Sequence, residues 1–171
     1  MIEFEFDFVG YEEQMKRFER FAPIADQHLV SAMQKSTIEV QSAVRPLTPV
    51  FMGALRNSIQ SQVKHEGPLN IVGVVGSTLK SEVYPSVMEH GRKPGTMPPP
   101  DALERWVHIK LGVSEKDAPG VALAVARKIK ARGIPGHFFM KRGWEKSKPR
   151  VIGYFEQALR DIANALAIGG N

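Results

Sequence analysis

Arg56-Asn57-Ser58-Ile59-Gln60-Ser61-Gln62-Val63-Lys64-His65-Glu66-Gly67-Pro68-Leu69-Asn70-Ile71-Val72-Gly73-Val74-Val75-Gly76 is the stretch on which the fold class turns. Gly67-Pro68 is a turn signal, so Arg56 to His65 reads as one strand and Asn70 to Gly76 as its partner in an antiparallel hairpin or meander. Ile71, Val72, Val74 and Val75 make both faces of the second strand apolar, which points to a central position in its sheet. The segments on either side carry helical spacing. The expected class is therefore α+β: a small antiparallel sheet packed against a long N-terminal helix and a C-terminal helix, with an extended proline-rich arm.

Moving towards the N-terminus, Leu29, Val30, Met33, Thr37, Val40 and Val44 recur at three- and four-residue steps, one face of a long helix. That helix ends before Pro46, because a residue preceding proline is pushed out of the α region, and a second proline follows at 49. Tyr11 to Ala22 can begin a helix that Pro23 interrupts or restarts. Ahead of it, Ile2, Phe4, Phe6 and Phe8 alternate with Glu3, Glu5 and Asp7 until Gly10 breaks the pattern. This alternation reads as a half-buried strand over 2–8 whose phenylalanines need covering.

Beyond the hairpin, residues 82–89 read as either a short strand or a helical turn. Lys93 to Pro100, with Pro98, Pro99 and Pro100 in a row, favours a stiff, exposed polyproline-like arm. Asp101 can cap a helix that Gly112 ends, with Leu103, Trp106 and Val107 at helical spacing. Ser114 and Asp117 form a capping arrangement for a helix through Val121, Val125 and Ile129 to Arg132, closed by Gly133. Ile134 to Met140 is an apolar run read as a short strand. A last helix opens near Pro149 and carries Ile152, Phe155, Leu159, Ile162 and Leu166 as a two-position heptad seam before Gly169-Gly170. A length of 171 residues suits a single domain over 1–171, in which strand 2–8 and arm 93–100 are expected to serve assembly.

The composition, 43% hydrophobic and 24% charged, is that of a globular chain. No run approaches the roughly eighteen apolar residues of a membrane span, and Met1-Ile2-Glu3-Phe4-Glu5 lacks the basic start of a signal peptide, so synthesis in the cytoplasm and no membrane partner are expected. The net charge of +5 is unevenly spread. Residues 1–31 hold seven acids against three bases, whereas residues 127–150 hold nine bases against Glu145 alone. Opposite charge at two ends of the chain can steer identical subunits head to tail, and the basic end can equally meet phosphates.

Chemistry-bearing patterns are missing. Without cysteine there is no thiolate metal site and no cysteine nucleophile. His28, His65, His90, His108 and His137 are scattered, with no pair at the four-residue spacing of a helical zinc motif. Ser58 lacks the glycine-flanked elbow of a hydrolase, and no glycine-rich loop is followed by Lys-Ser or Lys-Thr. No catalytic residue, metal or cofactor is expected.

Two short segments stand out instead: Thr48-Pro49-Val50-Phe51-Met52-Gly53-Ala54-Leu55-Arg56-Asn57-Ser58-Ile59 and Tyr84-Pro85-Ser86-Val87-Met88-Glu89-His90-Gly91-Arg92. Together they resemble the tail-completion, or head-to-tail joining, proteins of long-tailed bacteriophages, the group that includes the minor tail protein Z type. That family carries a Thr-Pro-x-x-x-Gly-x-Leu-Arg-x-Ser turn followed by a Tyr-Ala-x-Tyr-Val-Glu-x-Gly-Thr-Arg-like segment. This chain departs from it with Pro85 for Ala, Met88 for Val and no Thr between Gly91 and Arg92. The resemblance implies a virion protein that is not an enzyme. It would form a ring, sixfold, at the head–tail junction, between a tail tube or tail terminator protein and a head-closure adaptor.

On this expectation the residues of interest are contact residues: Phe4, Phe6, Phe8, Pro49, Gly53, Leu55, Tyr84, Glu89, Gly91, Arg92, Pro98 and Pro99 at subunit interfaces. Gly53 serves an intrachain turn, intersubunit packing, or both. Glu89 and Arg92 pair either with a neighbouring subunit or with each other. The alternative function is a basic DNA-binding module over 127–150, with Lys128, Lys130, Arg132, Lys141 and Arg142 facing DNA, a contact that a ring lumen would also make with the passing genome. Trp144 suits the core or a contact surface alike, and with Phe138 and Phe139 it is compatible with base stacking, although the two phenylalanines lie in an apolar run more simply read as core.

Overall fold

The computed structural model describes residues 11–50, 52–81 and 83–168, so the expected strand over 2–8, with Phe4, Phe6 and Phe8, lies outside the described residues. The class is α+β. In chain order come α1 (Tyr11–Val44), a 3-10 turn (Arg45–Leu47), α2 (Ala54–Ser58), β1 (Ile59–Gly67), β2 (Asn70–Ser77), α3 (Val83–His90), β3 (Gly91–Arg92), α4 (Asp101–Leu111), α5 (Ala118–Arg132), β4 (Ile134–Pro135) and α6 (Phe139–Ile168). Contacts group the chain into two units interleaved in sequence, one of residues up to Val40, 61–75 and from Ser147 onwards, the other of 41–60 and 76–146.

In the first unit the β1–β2 hairpin lies on α1. A Cβ at Gly73 would sit 2.5 Å from the Met33 sulfur and 2.6 Å from a Thr37 methyl, so only glycine lets β2 come this close to the helix. At the hairpin tip, Asp26 of α1 accepts a hydrogen bond from the Leu69 N–H at 2.9 Å and lies 2.8 Å from His65 Nε2. Among the described residues Ala25, Ala32, Ser36 and Thr37 are the buried side chains of α1 here, so the tightest packing falls on small residues between the larger ones that set the periodicity. From α6, Arg150 and Tyr154 reach Glu39 of α1 at 3.0 and 3.5 Å, while Val151, Ala158 and Ile162 are buried. Of the expected seam Ile162 is buried and Phe155 and Leu166 are half-buried, whereas Ile152 and Leu159 are 47% and 62% exposed, their places taken by the preceding residues Val151 and Ala158.

In the second unit α4 packs on α5 through Val107, Ala118 and Ala122, with Leu103, Trp106, Val113, Val121 and Val125 around them. Val44, Leu55, Ile59 and Phe139 are almost fully buried. Gly143 of α6 lies against Val44, where an added Cβ would come 2.9 Å from its Cα.

Several expectations need correcting. Helix α1 runs through Pro23, which is exposed, as is Glu19 four residues before it, so water can take the carbonyl that proline leaves unbonded. Residues Arg56 to Ser58 finish α2, and the strand starts at Ile59. Among the described residues β1 and β2 form a two-stranded sheet, so β2 is not central, and Val72 and Val74 are 37% and 43% exposed. Of the two readings of residues 82–89, the helical one holds, as α3. Helix α5 begins at Ala118 after a turn in which Ser114 Oγ bonds the Asp117 carboxylate at 2.7 Å. The run Ile134 to Met140 yields a strand of only two residues, and α6 begins at Phe139, ten residues ahead of Pro149. Lys93 to Pro100 has no regular structure and is largely exposed, with the Gly95 N–H donating to Lys130 O at 2.8 Å and Arg92 Nη2 to Thr96 O at 3.0 Å.

Candidate functional site

The early start of α6 has an identifiable cause. A helix leaves its first N–H groups without partners, and a carboxylate there satisfies them while matching the positive end of the helix dipole. Glu89, the penultimate residue of α3, supplies that carboxylate: Oε2 accepts from the Met140 N–H at 2.9 Å and Oε1 from the Lys141 N–H at 3.1 Å. The backbone locks the same junction, with the His137 N–H donating to Met88 O at 2.9 Å and the Phe138 N–H to Glu89 O at 3.0 Å. β3 then pairs antiparallel with β4, Gly91 opposite Pro135 and Arg92 opposite Ile134.

This junction depends on glycine. Gly91 has φ +81° and Gly133 φ +71°, and a Cβ at either would run into the carbonyl of Ile134 or Arg92 respectively. Phe138 adopts φ +50°, an uncommon angle for a bulky residue, which leaves its ring 45% exposed beside the buried Phe139.

The predicted contact residues thus divide. Glu89 is buried with both oxygens engaged by the start of α6, so within the chain it does not pair with Arg92. Leu55, 1% exposed, is a core residue of the chain. Gly91 is packed against the β4 backbone. Gly53, at φ +78°, is the left-handed residue before α2, whose carbonyl accepts from the Asn57 N–H at 2.8 Å, as the intrachain-turn reading requires. Pro49, Arg92 and Pro98 are part-buried, and Pro99 is exposed. Tyr84 is 36% exposed, and partial burial pushes its phenol above the ordinary 10.0. Lys128, Lys130, Arg132, Lys141 and Arg142 are all exposed, on α5 and α6.

The two motifs meet around an open cleft of about 290 Å³ lined by Ile59 from the first, Pro85, Ser86, Glu89 and His90 from the second, and Phe139 and Met140 from the start of α6. Gly76, Ser77 and Leu79 complete it. Its walls are mainly apolar, and two of its polar side chains serve the fold. The Ser77 and Ser58 hydroxyls share a hydrogen bond at 2.8 Å, and the Glu89 carboxylate caps α6. Among the described residues no three His, Asp or Glu side chains gather as a metal site, and no helix is long and apolar enough to cross a membrane. What the cleft offers is an apolar seat. The run Ile134 to Met140 hinted at Phe139 and Met140, but nothing local to Ile59 or Leu79 marks them as lining residues.

Compared with known proteins, the chain matches no family model, no curated protein and no solved structure.

Proposed function

We propose that the chain is a structural virion protein that assembles as a ring at the head–tail junction of a long-tailed phage and joins tail to head without catalysing a reaction. The observation that carries this reading is that Ile59, at the end of the first motif, and Pro85, Ser86, Glu89 and His90 of the second, about thirty residues apart in sequence, line one mainly apolar cleft in which the Ser77 hydroxyl and the Glu89 carboxylate are already engaged. A seat of that kind serves assembly, where specificity comes from shape and apolar burial. The partners are further copies, six to a ring, a tail-tube or tail-terminator protein on one side and a head-closure adaptor on the other. Two experiments test it. Native mass spectrometry of the purified chain is expected to give a closed ring. A phage lacking the chain is expected to yield filled heads and free tails that join when the protein is added; persistent monomers and unaffected virions would overturn the reading.

A second reading, contact with DNA, is favoured by one observation: all nine bases between Arg127 and Arg150 are exposed. It is compatible with the first if those bases line the ring's passage.

A further inference from the structure

We infer that the cleft walled by Ile59, Phe139 and Met140 receives the Ile2–Phe8 segment of a second copy of this chain. The inference rests on the ring reading above and names the contact by which one subunit holds the next. At about 290 Å³ the cleft falls just below the roughly 300–1,000 Å³ typical of small-molecule pockets, and it is open along its length of lining residues, which suits side chains of a docked segment. Because Glu89 and Ser77 are engaged by α6 and Ser58, an incoming apolar face strands neither of them.

The segment has the complementary chemistry. In an extended chain rising about 3.3 Å per residue, Ile2, Phe4, Phe6 and Phe8 share one face at steps of roughly 6.6 Å, so neighbouring phenylalanines reach the cleft together. Glu3, Glu5 and Asp7 occupy the other face. Exposed bases directly follow the lining residues, Lys80 after Leu79, and Lys141 with Arg142 after Met140. With the apolar face in the cleft the acidic face is left outward, near the bases that follow the lining residues in sequence, which favours one orientation. A contact from the N-terminus of one copy to the cleft of the next is head to tail, the kind that closes into a ring.

The chain has no cysteine, so introduced thiols report without background. Phe6→Cys and Ser86→Cys are made as separate full-length variants and mixed under mild oxidation; Ser86 is exposed, so its replacement leaves the core intact. The expected result is a disulfide-linked heterodimer, with Glu5→Cys in place of Phe6→Cys linking at least tenfold more slowly because it faces away. Equal rates for the two faces, no heterodimer from the mixed variants while the wild-type chain assembles, or a monomeric internal disulfide in a chain carrying both Phe6→Cys and Ser86→Cys would each overturn the docking. A wild-type chain that stays monomeric in native mass spectrometry, with no heterodimer from the mixed variants, overturns the ring reading along with it.

Discussion

Replacing Glu89 by alanine leaves the Met140 and Lys141 N–H groups without their part-buried acceptors, and an orphaned donor costs up to roughly 1–3 kcal/mol where water does not reach it. E89A is therefore expected to lose about 2–4 kcal/mol in urea unfolding. E89Q, which keeps one acceptor oxygen, is expected to lose about half as much. An E89A stability within about 0.5 kcal/mol of wild type would show that α6 does not depend on this cap. Asp26 makes a different prediction, because its role depends on pH. The His65 hydrogen bond, then the Leu69 N–H, hold its carboxyl below the ordinary value of 3.8. A depressed carboxylate contributes stability that is present above the unfolded pKa and is lost as pH falls through the folded one. The melting temperature of wild type should exceed that of D26N at pH 6, and the gap should close below pH 3.8. A gap that is constant with pH would mean the hairpin tip is not held by the ionised form.

Helix α6 contains two glycines with opposite expectations, Gly143 and Gly153. At Gly153 nothing lies within 4 Å of a new Cβ, so G153A is expected to stabilise by about 0.5–1 kcal/mol through helix propensity alone. At Gly143 the same change meets the Val44 backbone, and G143A is expected to destabilise by about 1–3 kcal/mol as overpacking. Paired urea titrations decide, and stabilisation by both would mean that Val44 and α6 are not in close contact. The contrast shows what was legible in the sequence. The end of α1 at Val44, the hairpin turn at Gly67, and the stops at Gly112 and Gly133 were readable because each is written in a residue's own backbone preference. The start of α6 was not, since its cap is 51 residues away, and a buried carboxylate overrides the local hint of Pro149. Likewise the motif residues were legible as a group, but the burial of Glu89 and Leu55 within the chain was not, because burial is invisible before the chain is folded.

At the scale of the whole molecule the open question is what the basic stretch meets. A phosphate would ordinarily favour a helix N-terminus, but that of α6 is already filled by the Glu89 carboxylate, so DNA would have to be held by side chains alone. Not every base is equally free for it, as Arg150 already pairs with Glu39 at 3.0 Å and Lys141 lies 4.0 Å from Glu145. If Lys128, Lys130, Arg132, Lys141 and Arg142 each neutralise one phosphate, the logarithm of affinity should fall with the logarithm of salt at a slope of about −4.5, a loss of roughly 500-fold between 50 and 200 mM. Changing Lys128, Lys130 and Arg132 to glutamine should make that slope shallower by about 2.7 while leaving sequence preference unaltered, because contacts to phosphate carry no base information. Fluorescence anisotropy with two duplexes of unrelated sequence measures both quantities. An unchanged slope in the triple variant would move the contact away from α5, and no binding at 50 mM would leave these bases to steer one subunit's positive stretch towards the acidic N-terminal residues of the next.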